Sequence, residues 1–207
     1  NMSKKWLKIV YEEKNSSKLK KHYRGWANEY DDDLRKWGYA YPEQLKKILK
    51  NQLKIGKNSK ILDAGCGTGL VAQTLKDLNY KNIVGLDYSI DMLRLAKAKK
   101  IYKKLVHESL NKKTSLRSNQ FKLILCTGVL TSGHVGANAI KELIRLTKKK
   151  GILILSISEA IFSKLGFKDE LKQRENEVKI KIVSKPFIAL PNNKHSARSR
   201  MYILEKI

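Results

Sequence analysis

From residue 60 onward, short apolar runs alternate with segments whose apolar positions recur at helical spacing. The runs are almost continuously apolar, which is typical of strands buried on both faces of a sheet. The predicted strands are 60–65, 82–87, 103–110, 121–129 and 151–158, and the predicted helices between them are 69–79, 89–101 and 137–150. Repeated units of strand and helix favour a parallel sheet that is covered by helices.

The pattern changes after a helical patch at 159–176. Segments 178–190 and 197–207 alternate apolar and polar residues, and the polar turn 191–196 joins them. Such alternation across a short connection predicts an antiparallel hairpin at the edge of the sheet. The expected fold is therefore α/β, Rossmann-like and doubly wound, with a mostly parallel seven-stranded sheet that ends in an antiparallel hairpin.

The N-terminal part of the chain is charged and has helical spacing. Two helices that flank 14–18 are expected within 3–36, and a third is expected over 41–53. We therefore interpret residues 1–41 as a helical lid segment and residues 42–207 as the main α/β unit, within one structural domain overall.

Tyrosine and tryptophan recur between Tyr23 and Tyr41. An aromatic segment of this kind could cover a bound ligand and exclude water from it. In the alternative interpretation, Trp26 and Tyr30 form the buried stripe of an amphipathic helix. The acidic run 31–33 is interpreted as a cap or a solvated face, because consecutive helical residues point in different directions, and no metal site is predicted.

The composition favours one soluble globular domain. The chain has 207 residues, of which 42% are hydrophobic and 30% charged, and no apolar run is long enough to span a bilayer. The N-terminus lacks the pattern of a signal peptide. Because Cys66 and Cys126 match no metal-ligand spacing, a reduced, cytoplasmic setting is expected.

The formal net charge of +25 raises the question of nucleic-acid binding. Lysine far outnumbers arginine, however, and base-edge recognition favours the guanidinium group of arginine. The lysines are also spread along the whole chain. We therefore interpret most of them as solvated surface residues.

The stretch ILDAGCGTGL (61–70) places three glycines between a predicted strand and a predicted helix. They leave bare backbone for a ligand at the carboxyl edge of the sheet. The glycines are Gly65, Gly67 and Gly69. A dinucleotide motif, G-x-G-x-x-G, would need a glycine where Leu70 stands, and Asp63 would repel a pyrophosphate.

S-adenosylmethionine suits these residues better, because it carries a cationic amino-acid end and two ribose hydroxyls but no phosphate. Asp87 ends the next predicted strand and is placed to accept both hydroxyls. The alternative is a tight turn with Asp63 as a helix-capping acid. We predict S-adenosylmethionine as the cofactor and S-adenosylhomocysteine as the product.

The motifs LDAGCGTG and GLDYS resemble those of the class I S-adenosylmethionine-dependent methyltransferases, over about residues 42–207. A closer resemblance is to the methyltransferase-like proteins named after the Williams–Beuren syndrome region. The segments that carry it are WANEYDDDL (26–34), GYAYP (38–42), LDAGCGTGLV (62–71), IVGLDYSIDML (83–93) and GVLTSGHV (128–135).

The resemblance implies a set of cofactor contacts. Asp63 would bind the amino group of the methionine end, and Asp87 would hold the ribose. Further contacts implied are Tyr23, Trp26, Gly65, Cys66, Gly67, Gly69, Tyr88 and Met92. An acid after the third strand usually meets the adenine amino group; here HESL stands in that place and leaves Glu108, Ser109 and the backbone of Leu110 as candidates.

The methyl acceptor is expected beyond the fourth strand, which ends at CTGVLTSGH. Thr127, Gly128, Thr131 and His134 would border the sulfonium there. His134 is a candidate general base, needed only if the acceptor arrives protonated, and its alternative role is to stabilise the loop. Thr131 is a second catalytic candidate.

The predicted activity is methyl transfer by in-line displacement to a small-molecule acceptor. The acceptor could be anionic, because Arg198 and Arg200 would point to one face of the last strand; the alternative is that both lie on the solvated surface. An RNA methyltransferase is the first alternative, although no N/D-P-P-Y/F stretch follows the fourth strand. A non-catalytic protein that binds S-adenosylmethionine is the second.

Overall fold

A computed structural model describes residues 16–130 and 135–207. Its strands form one sheet in the order β3-β2-β1-β4-β5-β8-β6, and β7 pairs with β8 beside this path. The strands are β1 Ile61–Ala64, β2 Ile83–Asp87, β3 Lys104–His107, β4 Phe121–Leu130, β5 Thr147–Ser158, β6 Val178–Val183, β7 Phe187–Ile188 and β8 Arg198–Lys206. The helices are α1 Ser16–Trp26, α2 Tyr30–Lys36, α3 Tyr41–Asn51, α4 Leu70–Asp77, α5 Ile90–Ala98, α6 Ala139–Leu146, α7 Glu159–Phe162 and α8 Phe167–Gln173.

The predicted fold class is confirmed. Strands β1 to β5 pair in parallel, whereas β8 pairs antiparallel with both β5 and β6. The path has the predicted seven strands. The two-residue β7 is an addition, because the segment 178–190 is interrupted at Pro186, which has no N–H to donate to a ladder.

Two helix predictions were wrong in their extent, whereas the helical patch predicted at 159–176 is present as two short helices. The helix expected to continue after 14–18 is divided by a turn at 27–29. The helix predicted for 137–150 ends at Leu146. There the Oγ1 of Thr147 donates to the Leu143 carbonyl, at 2.8 Å, and the chain enters β5.

Alternate side chains of each central strand enter two different cores. Ile61 of β1 packs with α3 and α4, while Leu62 packs with α6. Burial of both faces explains why the parallel strands are continuously apolar in the sequence. Trp26 belongs to the first of these cores and is only 1% exposed.

A partly buried ion pair supports the loop that follows β3. Arg145 donates to Glu142 at 2.6 Å, and Glu142 accepts the Thr114 backbone N–H at 2.8 Å. Arg145 also donates to the Leu116 carbonyl at 2.9 Å. Although burial opposes it, the contacts with Arg145 and Thr114 lower the pKa of Glu142, so this anchor of the loop remains charged.

Candidate functional site

A cavity lies where β1, β2, β3 and β4 end, at the carboxyl edge of the sheet. This is where open α/β sheets bind ligands, because the connections to the helices diverge there. The predicted site residues that line the cavity are Gly65, Gly67, Asp87, Tyr88, Met92, Glu108, Ser109, Leu110 and Gly128. The structure thus brings most of the site residues that the sequence predicted to one place.

The glycine-rich turn has left-handed backbone at each of its three glycines, with φ of 72°, 53° and 91° at Gly65, Gly67 and Gly69. Gly65 also has no space for a side chain, since a Cβ there would lie 2.3 Å from Cγ2 of Val129. A Cβ on Gly67 would meet no atom within 4 Å. The turn therefore packs tightly against β4 at one glycine and leaves open space beside the next.

Asp87 joins the glycine-rich turn to the start of α5. Its Oδ2 accepts the Gly67 N–H at 2.9 Å, and its Oδ1 accepts the Ser89 N–H at 2.8 Å. Burial raises the pKa of Asp87, while these N–H donors oppose the rise. Each carboxylate oxygen can accept more than one hydrogen bond, so Asp87 retains acceptor capacity toward the cavity that it lines.

The first turn of α5 forms another wall of the cavity. Ser89 caps the helix as its pattern indicates, since its Oγ accepts the Met92 N–H at 3.3 Å. Met92 is 3% exposed and lines the cavity. The hydroxyl of Tyr88 is buried and has no hydrogen-bond partner among the described residues, which leaves it available to a ligand.

Asp63 lies just beneath the turn rather than on the cavity wall. It is 2% exposed, and its Oδ2 accepts a 2.7 Å hydrogen bond from the hydroxyl of Tyr102. Burial, assisted by the negative charge of Asp87, raises the pKa of Asp63 to about 7. Sequence reasoning missed Tyr102; the available signal was Gly85, a glycine inside a buried strand, which indicates close approach of another group.

Two further residues of the turn are also set back from the cavity wall. Cys66 is 7% exposed, and burial raises the pKa of its thiol well above the usual value. Gly69 begins α4 as its N-cap residue. Both residues therefore serve the shape of the turn in this structure.

The three candidates for adenine contact differ in their exposure and in the hydrogen bonds that they already make. The carboxylate of Glu108 accepts two hydrogen bonds from Ser115, one from its backbone N–H at 2.8 Å and one from its hydroxyl. Hydrogen bonds from Ser115 lower its pKa. Ser109 accepts the Asn111 N–H at 3.2 Å, and Leu110 is 3% exposed. Asn111 lines the cavity as well and was not predicted.

The predicted acceptor side is described only in part. Thr131 and His134 lie outside the described residues. Thr127 is 5% exposed, and its Oγ1 is buried with no hydrogen-bond partner among the described residues. Gly128 lines the cavity, and its N–H donates to the Ser156 hydroxyl at 2.8 Å.

The N-terminal helices supply Ser17 and Tyr30 to the cavity wall. Trp26 does not line it; the indole Nε1 donates to Asp33 at 2.8 Å within the core, in agreement with the core interpretation. The side chain of Tyr23 lies outside the described part of the chain. The prediction of a solvated acidic run was wrong for Asp33, which is buried because it accepts this hydrogen bond.

Two ion pairs connect the N-terminal helices to the site. Lys99 donates to Asp31 at 2.5 Å, and Asp31 also accepts a hydrogen bond from the hydroxyl of Thr68, inside the glycine-rich turn. Arg24 pairs with Asp91 of α5 at 3.2 Å. We call the group Asp31, Thr68 and Lys99 the latch.

The predicted anion anchor is engaged elsewhere. Arg198 and Arg200 both face the carboxylate of Glu159, at 3.4 and 2.8 Å. Within the described ranges, no group of three or more ligating side chains could hold a metal ion. None of the helices in the described part of the chain combines the length and the apolarity that a bilayer crossing requires.

Comparison with known proteins agrees with this geometry. Residues 62–155 match the model of a methyltransferase domain. Human methyltransferase-like protein 27 is 34% identical over 152 residues, which cover 72% of this chain and 61% of that protein. The chain spans about three fifths of the length of the curated relatives that it matches.

Solved structures show the same fold at lower identity. An S-adenosylmethionine-dependent methyltransferase of Thermotoga maritima, titled a possible histamine N-methyltransferase, gives a TM-score of 0.61 at 20% identity, covering 89% of this chain and 96% of that one. A putative methyltransferase of Haloferax volcanii, in complex with the Trm112 activator, gives 0.65 at 12% identity, covering 88% and 96%. The glycine-rich turn, the cavity beside it and these matches lead to one conclusion: residues 62–155 form a methyltransferase domain with the fold of the class I S-adenosylmethionine-dependent enzymes, and this domain and fold support S-adenosylmethionine as the cofactor.

Proposed function

We propose that the chain transfers the methyl group of S-adenosylmethionine to a small-molecule acceptor. The observation that carries this proposal is the shared wall of the cavity, where Ser17 and Tyr30 of the N-terminal helices meet the glycine-rich turn and Gly128. A cavity bounded by helices on that side suits a compact acceptor. Since the cofactor supplies an activated methyl group, holding the acceptor in line with it provides most of the catalysis.

The residues present fit the cofactor. The open space beside Gly67 admits a ligand against bare backbone, and the unpartnered hydroxyl of Tyr88 supplies a polar group. Asp87 would hold the ribose, and Asp63 would attract the cationic amino-acid end. Because Glu108 is already engaged by Ser115, Ser109 and the Leu110 backbone become the preferred adenine contacts.

On the acceptor side, we keep His134 and Thr131 as candidates beside Thr127. The unpartnered Oγ1 of Thr127 supports a polar role for the end of β4. A neutral nucleophile has a free lone pair and can lose its proton after transfer. A base at His134 would therefore be needed only for an acceptor whose attacking atom arrives protonated.

RNA is the second candidate acceptor, and one observation favours it. A groove adjoins the cavity, shares Leu110 and Asn111 with it, and carries the exposed lysines Lys112, Lys113 and Lys141. A row of cations beside the cofactor suits a phosphate backbone. In contrast, 148–150 lie at the amino end of β5, away from the carboxyl edge, and give RNA no support.

The acceptor class can be tested by measuring release of S-adenosylhomocysteine with metabolite pools and with RNA. Turnover with metabolites and none with RNA supports the proposal. RNA turnover that falls steeply with salt, and falls further when Lys112, Lys113 and Lys141 are changed to Gln, would favour the second candidate. The matched control changes Lys46, Lys47 and Lys50, which are exposed on α3, to Gln. Cofactor binding without turnover on any acceptor would indicate the non-catalytic alternative.

We also propose that residues 1–41 act as a lid that the latch holds closed. Asp31→Asn should weaken the ion pair between Asp31 and Lys99, whose side chains are 22% and 23% exposed. Release of S-adenosylhomocysteine should then be faster by about two- to fivefold at low salt. Stopped-flow fluorescence would measure the release rate. Asp32→Asn is the control, because Asp32 pairs with Arg35 inside its own helix. Equal rates in the two variants would contradict the latch.

A further inference from the structure

Tyr102 is the one polar side chain that the described structure places on Asp63. It lies between α5 and β3, and its hydroxyl donates to Asp63 Oδ2 at 2.7 Å. Asp63 is buried, so water cannot readily replace this donor. The hydrogen bond therefore fixes where the carboxylate points.

Two glycines make room for the Tyr102 ring. A Cβ on Gly85 would lie 2.9 Å from both Cδ1 and Cε1 of the ring and 2.7 Å from Cδ2 of Leu105, and a Cβ on Gly69 would lie 3.1 Å from Cε2 of the ring. The φ of Gly85 is outside the left-handed region, so it is the missing Cβ that matters at this position. Strand β2 and the glycine-rich turn are thus both shaped around this tyrosine.

We propose that Tyr102 is a positioning residue, which keeps the Asp63 carboxylate ionised and oriented beneath the glycine-rich turn for the cationic amino-acid end of the cofactor. This inference rests on the proposed cofactor contact of Asp63. The tyrosine acts through Asp63 and would not touch the reacting atoms.

The charges around Asp63 make this support necessary. The titratable groups that interact with Asp63 in the described structure are Tyr102, Asp87, Cys66 and Cys126. Asp87 repels a second negative charge, and burial opposes it further. Burial raises the pKa of both thiols, which leaves them neutral, so the Tyr102 hydroxyl is the group here that favours the charged carboxylate.

The pH dependence of binding follows from the sign of this shift. With a pKa of about 7, Asp63 becomes protonated as the pH falls below neutrality and then loses its attraction for an ammonium group. The dissociation constant should therefore rise below pH 7, by up to tenfold per pH unit. We call the pH below which the dissociation constant rises the break. Removing the Tyr102 hydrogen bond should raise the break by about one to two pH units.

The test is calorimetric titration with S-adenosylhomocysteine, which has the same amino-acid end as the cofactor, from pH 5.5 to 9. Tyr102→Phe should move the break upward, and Asp63→Asn should remove it. Tyr80→Phe is the control, because that buried tyrosine donates to the Ile55 carbonyl instead. Gly85→Ala in a Leu105→Ala background is a second variant, because the new methyl group then crowds the Tyr102 ring without the nearer Leu105 side chain. It should shift the break in the same direction, even if Tyr102→Phe does not fold.

The outcomes separate the two proposals. A break at the same pH in the wild type and in the folded Tyr102 or Gly85 variant would overturn the positioning role and leave the proposed function standing. Failure of the wild-type protein to bind S-adenosylhomocysteine or S-adenosylmethionine at any pH would overturn the proposed function and this inference together. If the wild type binds S-adenosylhomocysteine and S-adenosylmethionine and the variant shows a shifted break, the proposed function and the positioning role of Tyr102 are both supported.

Discussion

Gly65→Ala should lower the free energy of unfolding by about 3 kcal/mol and abolish measurable cofactor binding. Left-handed backbone costs an alanine about 1–2 kcal/mol, and overpacking of a filled site costs about 1–3 kcal/mol more. Here φ is 72°, and the new methyl group would lie 2.3 Å from Cγ2 of Val129. Urea denaturation and calorimetric titration with S-adenosylmethionine would measure the two effects.

Gly67→Ala is the matched control, because it has positive φ without the steric clash. We expect it to cost only about 1–2 kcal/mol of stability. Val129→Ala in the Gly65→Ala background should recover part of the lost stability, since it removes the two nearest carbon atoms. If Gly65→Ala were as stable as Gly67→Ala, the tight packing of the turn against β4 would be refuted.

Asp87→Asn should weaken S-adenosylmethionine binding by about 100-fold or more. Hydrogen bonds to a charged group contribute about 1.5–3 kcal/mol each, and two ribose hydroxyls would lose their charged acceptor. The amide NH2 would also face the N–H of Gly67 or of Ser89, because both carboxylate oxygens now accept hydrogen bonds. The melting temperature of the free protein should therefore fall as well.

Calorimetric titration and thermal unfolding would test this substitution. Asp77→Asn removes the same charge from an exposed position on α4 and should leave both quantities unchanged. An Asp87→Asn variant that binds the cofactor within threefold of the wild type would contradict the ribose contact. A variant that loses affinity but keeps its melting temperature would instead contradict the structural role of Asp87 in joining the turn to α5.

The parallel sheet was predictable because burial on both faces requires a continuous run of apolar residues in each strand. Ile61 and Leu62 enter different cores, and both must be apolar. The end of α6 was harder to place, since lysines at 148–150 suit a helix as well as the start of a strand. The contact that decides this boundary is the hydrogen bond from Thr147 to Leu143, which depends on three-dimensional geometry.

Within the site, residues that act through local geometry were easier to predict than residues that arrive from a distance. The capping role of Ser89 follows from its place just before a helix. Tyr102 reaches Asp63 across 39 positions of the chain, and Asp31 reaches Thr68 across 37. The periodicity of apolar and polar residues does not indicate contacts between positions so far apart in the chain. Similarly, burial of Asp33 follows from one indole donor, whereas its acidic neighbours suggest a solvated face.

The placement of one acid beneath the turn and another on the cavity wall also bears on how the site distinguishes its cofactor from the spent product. S-adenosylmethionine carries a sulfonium charge that S-adenosylhomocysteine lacks, and opposite charges attract more strongly where water is excluded. Asp63 and Asp87 are both buried in a chain whose formal net charge is +25. This small negative region should favour the reactant over the demethylated product, so that loss of the charge on transfer itself weakens product inhibition.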